Sequence, residues 1–250
     1  MRAASTDESL QNTLDWALER MREKGYVVNS NVTLNVEPNL AIMGYARKDG
    51  QVHRIMISEW ALDSEMLGGL VLHELAHVYF AEREAHSHDS ATLEEVLEKL
   101  KETEGLRGKE TESLIDAFNH LQNVLVDDVV FAVMEEKEIE VTRRFFAEWV
   151  SDRLSGDPVT DATLLSRNAF AVASLKRRNL FQENSEMCYR NQSFLSSLGP
   201  VSENEFGWIE NFLEKARSDW DRARFREALE EYFDRIISLM RSSSRLDDLK

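Results

Sequence analysis

Three side chains within five residues, His73, Glu74 and His77, have the types and spacing for metal-assisted hydrolysis. They form an H-E-x-x-H string inside the apolar run Leu67 to Phe80. On an α-helix, positions i and i+4 stand one above the other on one face, so two imidazoles there can grip one ion. Glu74 lies about 100° round from His73 by helix geometry. It can reach a water on that ion without being a ligand. Two ligands plus a general base is the core of a catalytic zinc site.

A catalytic zinc needs a third protein ligand. The extended form H-E-x-x-H-x-x-G-x-x-H would need glycine at Phe80 and histidine at Arg83, and is excluded. Two stretches further on can supply the ligand. In Asn119 to Asp128, the residues His120, Asn123 and Asp127 fall at i, i+3 and i+7, and Asp116 extends that face by one turn. Asp127 and Asp128 sit in the otherwise apolar run Val124 to Met134, where carboxylates are expensive unless paired or bound to a cation. They point about 100° apart, so only one can face a given ion. The second stretch is Glu148-Trp149-Val150-Ser151-Asp152, with Arg143, Arg144 and Arg153 nearby giving it a solvated look. His86 and His88, in the polar segment Ala85 to Ser90, are second-tier candidates.

The elements that must position these groups are mostly helices. Three prolines and ten glycines in 250 residues disfavour a turn-rich all-β fold. Ser5-Thr6-Asp7-Glu8 reads as a capping box opening a helix from about 7 to 24, with Leu10, Leu14, Ala17 and Met21 on one face. The period then falls to two, and strands are expected over 26–36, 39–47 and 51–60, with Asp49-Gly50 as a hairpin turn. The expected arrangement is a small antiparallel sheet ahead of the motif helix, with Arg54 to Glu59 as its edge. Helices follow over about 65–84, 91–103, 110–136, 141–154, 161–181, 186–198 and 203–240, the last broken by a fresh cap near Ser218-Asp219. The tail from Ser242 is expected to fray. The fold class is α+β and mostly helical: residues 1–136 form the site-bearing core and 137–250 a helical subdomain.

The charge of −16, from 46 acidic and 30 basic residues, lacks the basic face of a nucleic-acid binder. Lys176-Arg177-Arg178 is short and reads as a solvated helix face. One cysteine, Cys188, rules out a disulfide framework within the chain. No apolar stretch reaches about 18 residues and Met1 to Gln11 is not a signal segment, so no membrane partner and a cytoplasmic location are expected.

The stretch from His73 to Val133 resembles an uncharacterised archaeal domain family of zincin type. The likeness lies in the H-E-x-x-H helix, Ala85-His86-Ser87-His88, and the segment with Asn119, His120, Asp127 and Asp128, and continues weakly at Asn168-Ala169-Phe170-Ala171. Asn123 to Asp127 is also similar to the third-ligand helix of some bacterial metallopeptidases. Glu148 to Asp152 resembles the gluzincin third-ligand helix, in which the Glu binds zinc and the Asp orients a ligand histidine. The resemblance implies a zincin-type fold and a peptidase with one Zn²⁺, acting on a peptide or protein. Asp127 is the first choice of third ligand, Asp128 the next, and Glu148 the rival. Glu74 is the expected base. The oxyanion donor comes from His120, His86, His88 or Tyr189, with His120 the nominated catalytic residue. The competing expectations are a non-hydrolytic scaffold with a structural metal, and a peptidase inhibited by its own chain.

Overall fold

A computed structural model describes residues 2–247, with side chains described over 8–199 and 203–241. Two terminal expectations are corrected: the first helix begins at Arg2, so Ser5 lies inside it and does not open it, and the last helix continues to Asp247, so residues 242–247 are helical, not frayed. The chain divides into two compact units. The first comprises residues 1–88 and 126–142, the second 89–125 and 143–250. Residues 89–125, which the sequence division groups with the core, cluster with the second unit.

In the first unit, helix α1 (Arg2–Glu23) buries Leu10, Leu14, Ala17 and Met21, a single stripe at helical spacing. Three strands follow, β1 (Asn31–Glu37), β2 (Gly44–Asp49) and β3 (Val52–Ser58), in the order β1-β3-β2. The sheet is mixed, which corrects the antiparallel expectation: β1 runs parallel to β3, and only β2 is antiparallel to it. It also corrects the choice of edge. β3 carries Ile55 and Ile57, both fully buried, and takes the centre. Arg47, Lys48 and Asp49 at the end of β2 suit an exposed edge, because charged side chains discourage further strand pairing. The Asp49-Gly50 turn forms as expected, with Asp49 opposite Val52 and Gly50 at φ 61°. Residues 26–30 do not join β1. The amides of Asn29 and Ser30 instead donate to the Glu82 carboxylate at 2.8 and 2.7 Å, tying the sheet's entrance to the end of the motif helix.

That helix, α2 (Leu67–Glu82), begins with two glycines that let it sit close to its neighbours. A Cβ on Gly68 would meet the Trp16 ring at 3.1 Å, and one on Gly69 would meet Met134 Cε at 2.9 Å. The end of helix α4 (Gly108–Val133) completes the unit, with the start of α5 (Glu136–Trp149) behind it. Arg20 of α1 donates to the Val133 carbonyl at 2.9 Å and reaches Glu138, covering the C-terminal end of α4, where a cation is favoured.

The second unit is all helical. It contains α3 (Ser90–Glu104), α4 up to Leu125, the end of α5, α6 (Pro158–Lys176), α7 (Glu186–Leu198), α8 (Pro200–Glu214) and α9 (Arg222–Asp247). α6 is buried nearly all round and packs on α8 and α9. Phe170, Phe194, Phe225, Tyr232 and Phe233 are the large fully buried aromatics of this unit. Asn168 of α6, fully buried, pairs with both backbone groups of Ser151 and with Asn191, fixing the turn after α5. No helix among the described residues is long and apolar enough to cross a membrane.

Candidate functional site

The middle of α2 carries His73, Glu74 and His77 as its i, i+1 and i+4 residues. Both imidazoles are half-buried on one face, with ring centroids 5.0 Å apart. Glu74 points elsewhere. It is 5% exposed, and its carboxylate accepts a hydrogen bond from the backbone N–H of Ala46 in the edge strand β2. Burial pushes its pKa upward, with the neighbouring His73 pulling the other way. A carboxylate whose proton affinity is raised is a better proton acceptor than an ordinary one.

Asp127 reaches this face from the last turns of α4. Its Oδ1 lies 3.3 Å from His73 Nδ1, and the side chain is almost wholly buried. Asp128, one residue on, is half-buried. Glu148 is exposed near the end of α5 and belongs to the second unit.

His88 also comes to the motif. It ends a short 3₁₀ turn, His86–His88, and its Nε2 lies 3.0 Å from His77 Nδ1. Its ring stacks on Phe80 at 5.1 Å and 21°, and Ser87 Oγ sits 3.0 Å from its Nδ1. Burial, aided by the His73 charge, holds its pKa down to about 4, so the ring is neutral at ordinary pH. His86 is half-buried in the same turn. The partners Ala46, Phe80 and Ser87 carry no sequence signal of their own. Ser87 stands out only through its place between two histidines.

His120, the nominated oxyanion donor, lies in the second unit. Its Nδ1 is 2.8 Å from Ser166 Oγ, which is 2.7 Å from Tyr232 Oη. The ring stacks on Phe170 at 5.6 Å and 12°. Burial lowers the His120 pKa to about 3 and pushes that of Tyr232 well above its ordinary value, so both are neutral members of a closed polar chain. Tyr189 is 62% exposed on α7.

The donor chemistry of His73, His77 and Asp127 fits zinc, which takes imidazole nitrogen and carboxylate oxygen. Two donors on one tetrahedral ion stand about 3.3 Å apart, given metal–donor lengths of about 2.0–2.1 Å. The His73–Asp127 distance of 3.3 Å matches. As the side chains stand, no group of three or more His, Cys, Asp or Glu among the described residues is gathered as a formed metal site. The His73–Asp127 spacing alone is that of two donors on one ion, and the three donors do not converge on one point.

Comparison with known proteins adds a family and no activity. No curated protein and no solved structure matches the chain. A family of unknown function (DUF5781) matches residues 17–230, from within α1 to within α9 and including every candidate residue above, so the chain belongs to that family.

Proposed function

We propose that the chain is a zinc-dependent peptidase in which His73, His77 and Asp127 hold one Zn²⁺ and Glu74 is the general base. One observation supports this above all: the buried Asp127 carboxylate lies 3.3 Å from the first motif histidine. A bound zinc ion supplies a Lewis acid that lowers the pKa of water toward about 7 and polarises a carbonyl. The chain's own groups do the rest. Glu74 takes the proton of the attacking water on its carboxylate and gives it to the leaving amine as the C–N bond breaks.

A second reading, a scaffold that holds a structural metal and binds a protein partner, is favoured by one contact, His88 Nε2 at 3.0 Å from His77. The two are separated by incubating the zinc-loaded chain with an unfolded protein substrate and mapping new termini by mass spectrometry. New termini that disappear with Glu74→Gln support the peptidase. Bound zinc with no cleavage by either the wild type or His88→Ala supports the scaffold.

A further inference from the structure

We propose that His88 is a fourth protein ligand of the same metal, so that the chain itself completes the coordination shell. The inference rests on the metal reading of His73 and His77 given above.

Two imidazoles bound to one tetrahedral ion have nitrogens about 3.3 Å apart and ring centroids about 5.2 Å apart. His77 and His88 have nitrogens 3.0 Å apart and centroids 5.1 Å apart. His73 and His77 have centroids 5.0 Å apart. The ring of His88 thus lies as far from that of His77 as the ring of His73 does, although only His73 shares its helix.

The turn carrying His88 is built to hold it there. α2 ends in a paired arrangement in which Glu84 N–H donates to the Ala81 carbonyl and Ala85 N–H to the Phe80 carbonyl, both at 3.1 Å. Glu84 takes the left-handed conformation, φ 51°, that this ending requires. The chain reverses, and His88 N–H closes the 3₁₀ turn on the Ala85 carbonyl at 2.8 Å. Phe80 then covers one face of the imidazole. Ser87, 3% exposed, contacts the nitrogen that does not face His77. Ligand histidines usually have a hydrogen-bonding partner on the second ring nitrogen, which fixes the ring's orientation.

Three imidazoles and one carboxylate saturate a tetrahedral ion, and a ligand set of four protein groups is the closed form of a zinc site. The resting chain therefore occupies the position a substrate would need, and the His86–His88 turn is the segment that must withdraw.

The test uses the full chain loaded with Co²⁺, whose visible spectrum reports coordination. The wild-type spectrum is expected to be unmoved by azide. In His88→Ala, azide should shift the spectrum, and Co²⁺ should bind about 100-fold or more weakly, since losing even an outer partner of a ligand costs about 10–100-fold. A wild-type spectrum that responds to azide overturns the inference. Zinc X-ray absorption on the wild type needs no variant: three imidazoles and one oxygen donor support it, and two imidazoles overturn it. A wild-type chain that binds neither Co²⁺ nor Zn²⁺ overturns the metal reading beneath it, which is a separate and distinguishable result.

Discussion

Asp127 Oδ1 lies 3.3 Å from His73 Nδ1, joining the last turns of α4 to the middle of α2. The contact gives a reason for a carboxylate in the apolar run Val124 to Met134. An uncompensated charge there costs several kcal/mol, so Asp127 needs a cationic or hydrogen-bonding partner. The first motif histidine is such a partner, and a shared cation would be a stronger one. Arg20, on the end of α4, and the two glycines that open α2 hold these helices close enough for the pair to meet.

Glu74 separates chemistry from metal binding. Glu74→Gln keeps the size of the side chain and an acceptor for the Ala46 amide, but cannot carry the proton. Hydrolysis of an unfolded protein substrate should fall by about 10²–10⁴-fold, the range of a lost general base, with zinc content unchanged. Turnover equal to wild type would remove Glu74 from the mechanism.

Glu84 tests the turn that carries His88. It is exposed, so Glu84→Gly loses no packing and relieves a left-handed backbone that glycine adopts freely. The variant should be more stable by about 0.5–1 kcal/mol, read as a higher urea midpoint at constant slope. A lower midpoint would show that the Glu84 side chain contributes more than its backbone strain costs.

His120 predicts an acid sensitivity located in the second unit. Its folded pKa of about 3 lies below the ordinary 6.5. Between those values the unfolded chain binds a proton that the folded chain does not, so stability is lost as pH falls from 6.5 toward 3. At pH 5 the loss is about 2 kcal/mol by linkage. His120→Gln retains a partner for Ser166 but does not titrate. Urea midpoints at pH 7.5 and 5 should show wild type losing about 2 kcal/mol more than the variant. Equal losses would mean that His120 is not held neutral.

Local signals survive folding better than long-range ones. α7 spans Glu186–Leu198 as expected, because the signal for it lies within the segment, and the structure adds Ser185 as its cap. The alternation of β3 shows which side chains face the core. It does not show that β1 lies parallel beside it, because that pairing is made across the whole intervening β2 hairpin. The break before α9 is capped by Asp221, not by Ser218 or Asp219, since Asp219 is bound by the Arg217 guanidinium at 2.8 and 2.7 Å. At the site, the i and i+4 histidines and the buried Asp127 are legible because helix geometry alone relates them to their surroundings. His88 is legible only as a second-tier candidate beside His86, because its approach to His77 depends on a non-glycine residue, Glu84, in the left-handed conformation.

The central claim is that Asp127, with His73 and His77, holds a metal. Metal content measured after purification of wild type, Asp127→Ala, Asp128→Ala and Glu148→Ala tests it most directly. The account predicts about one Zn²⁺ per chain in wild type and in the Asp128 and Glu148 variants, and a markedly lower content in Asp127→Ala. Full zinc in Asp127→Ala, or its loss in Glu148→Ala alone, would contradict it.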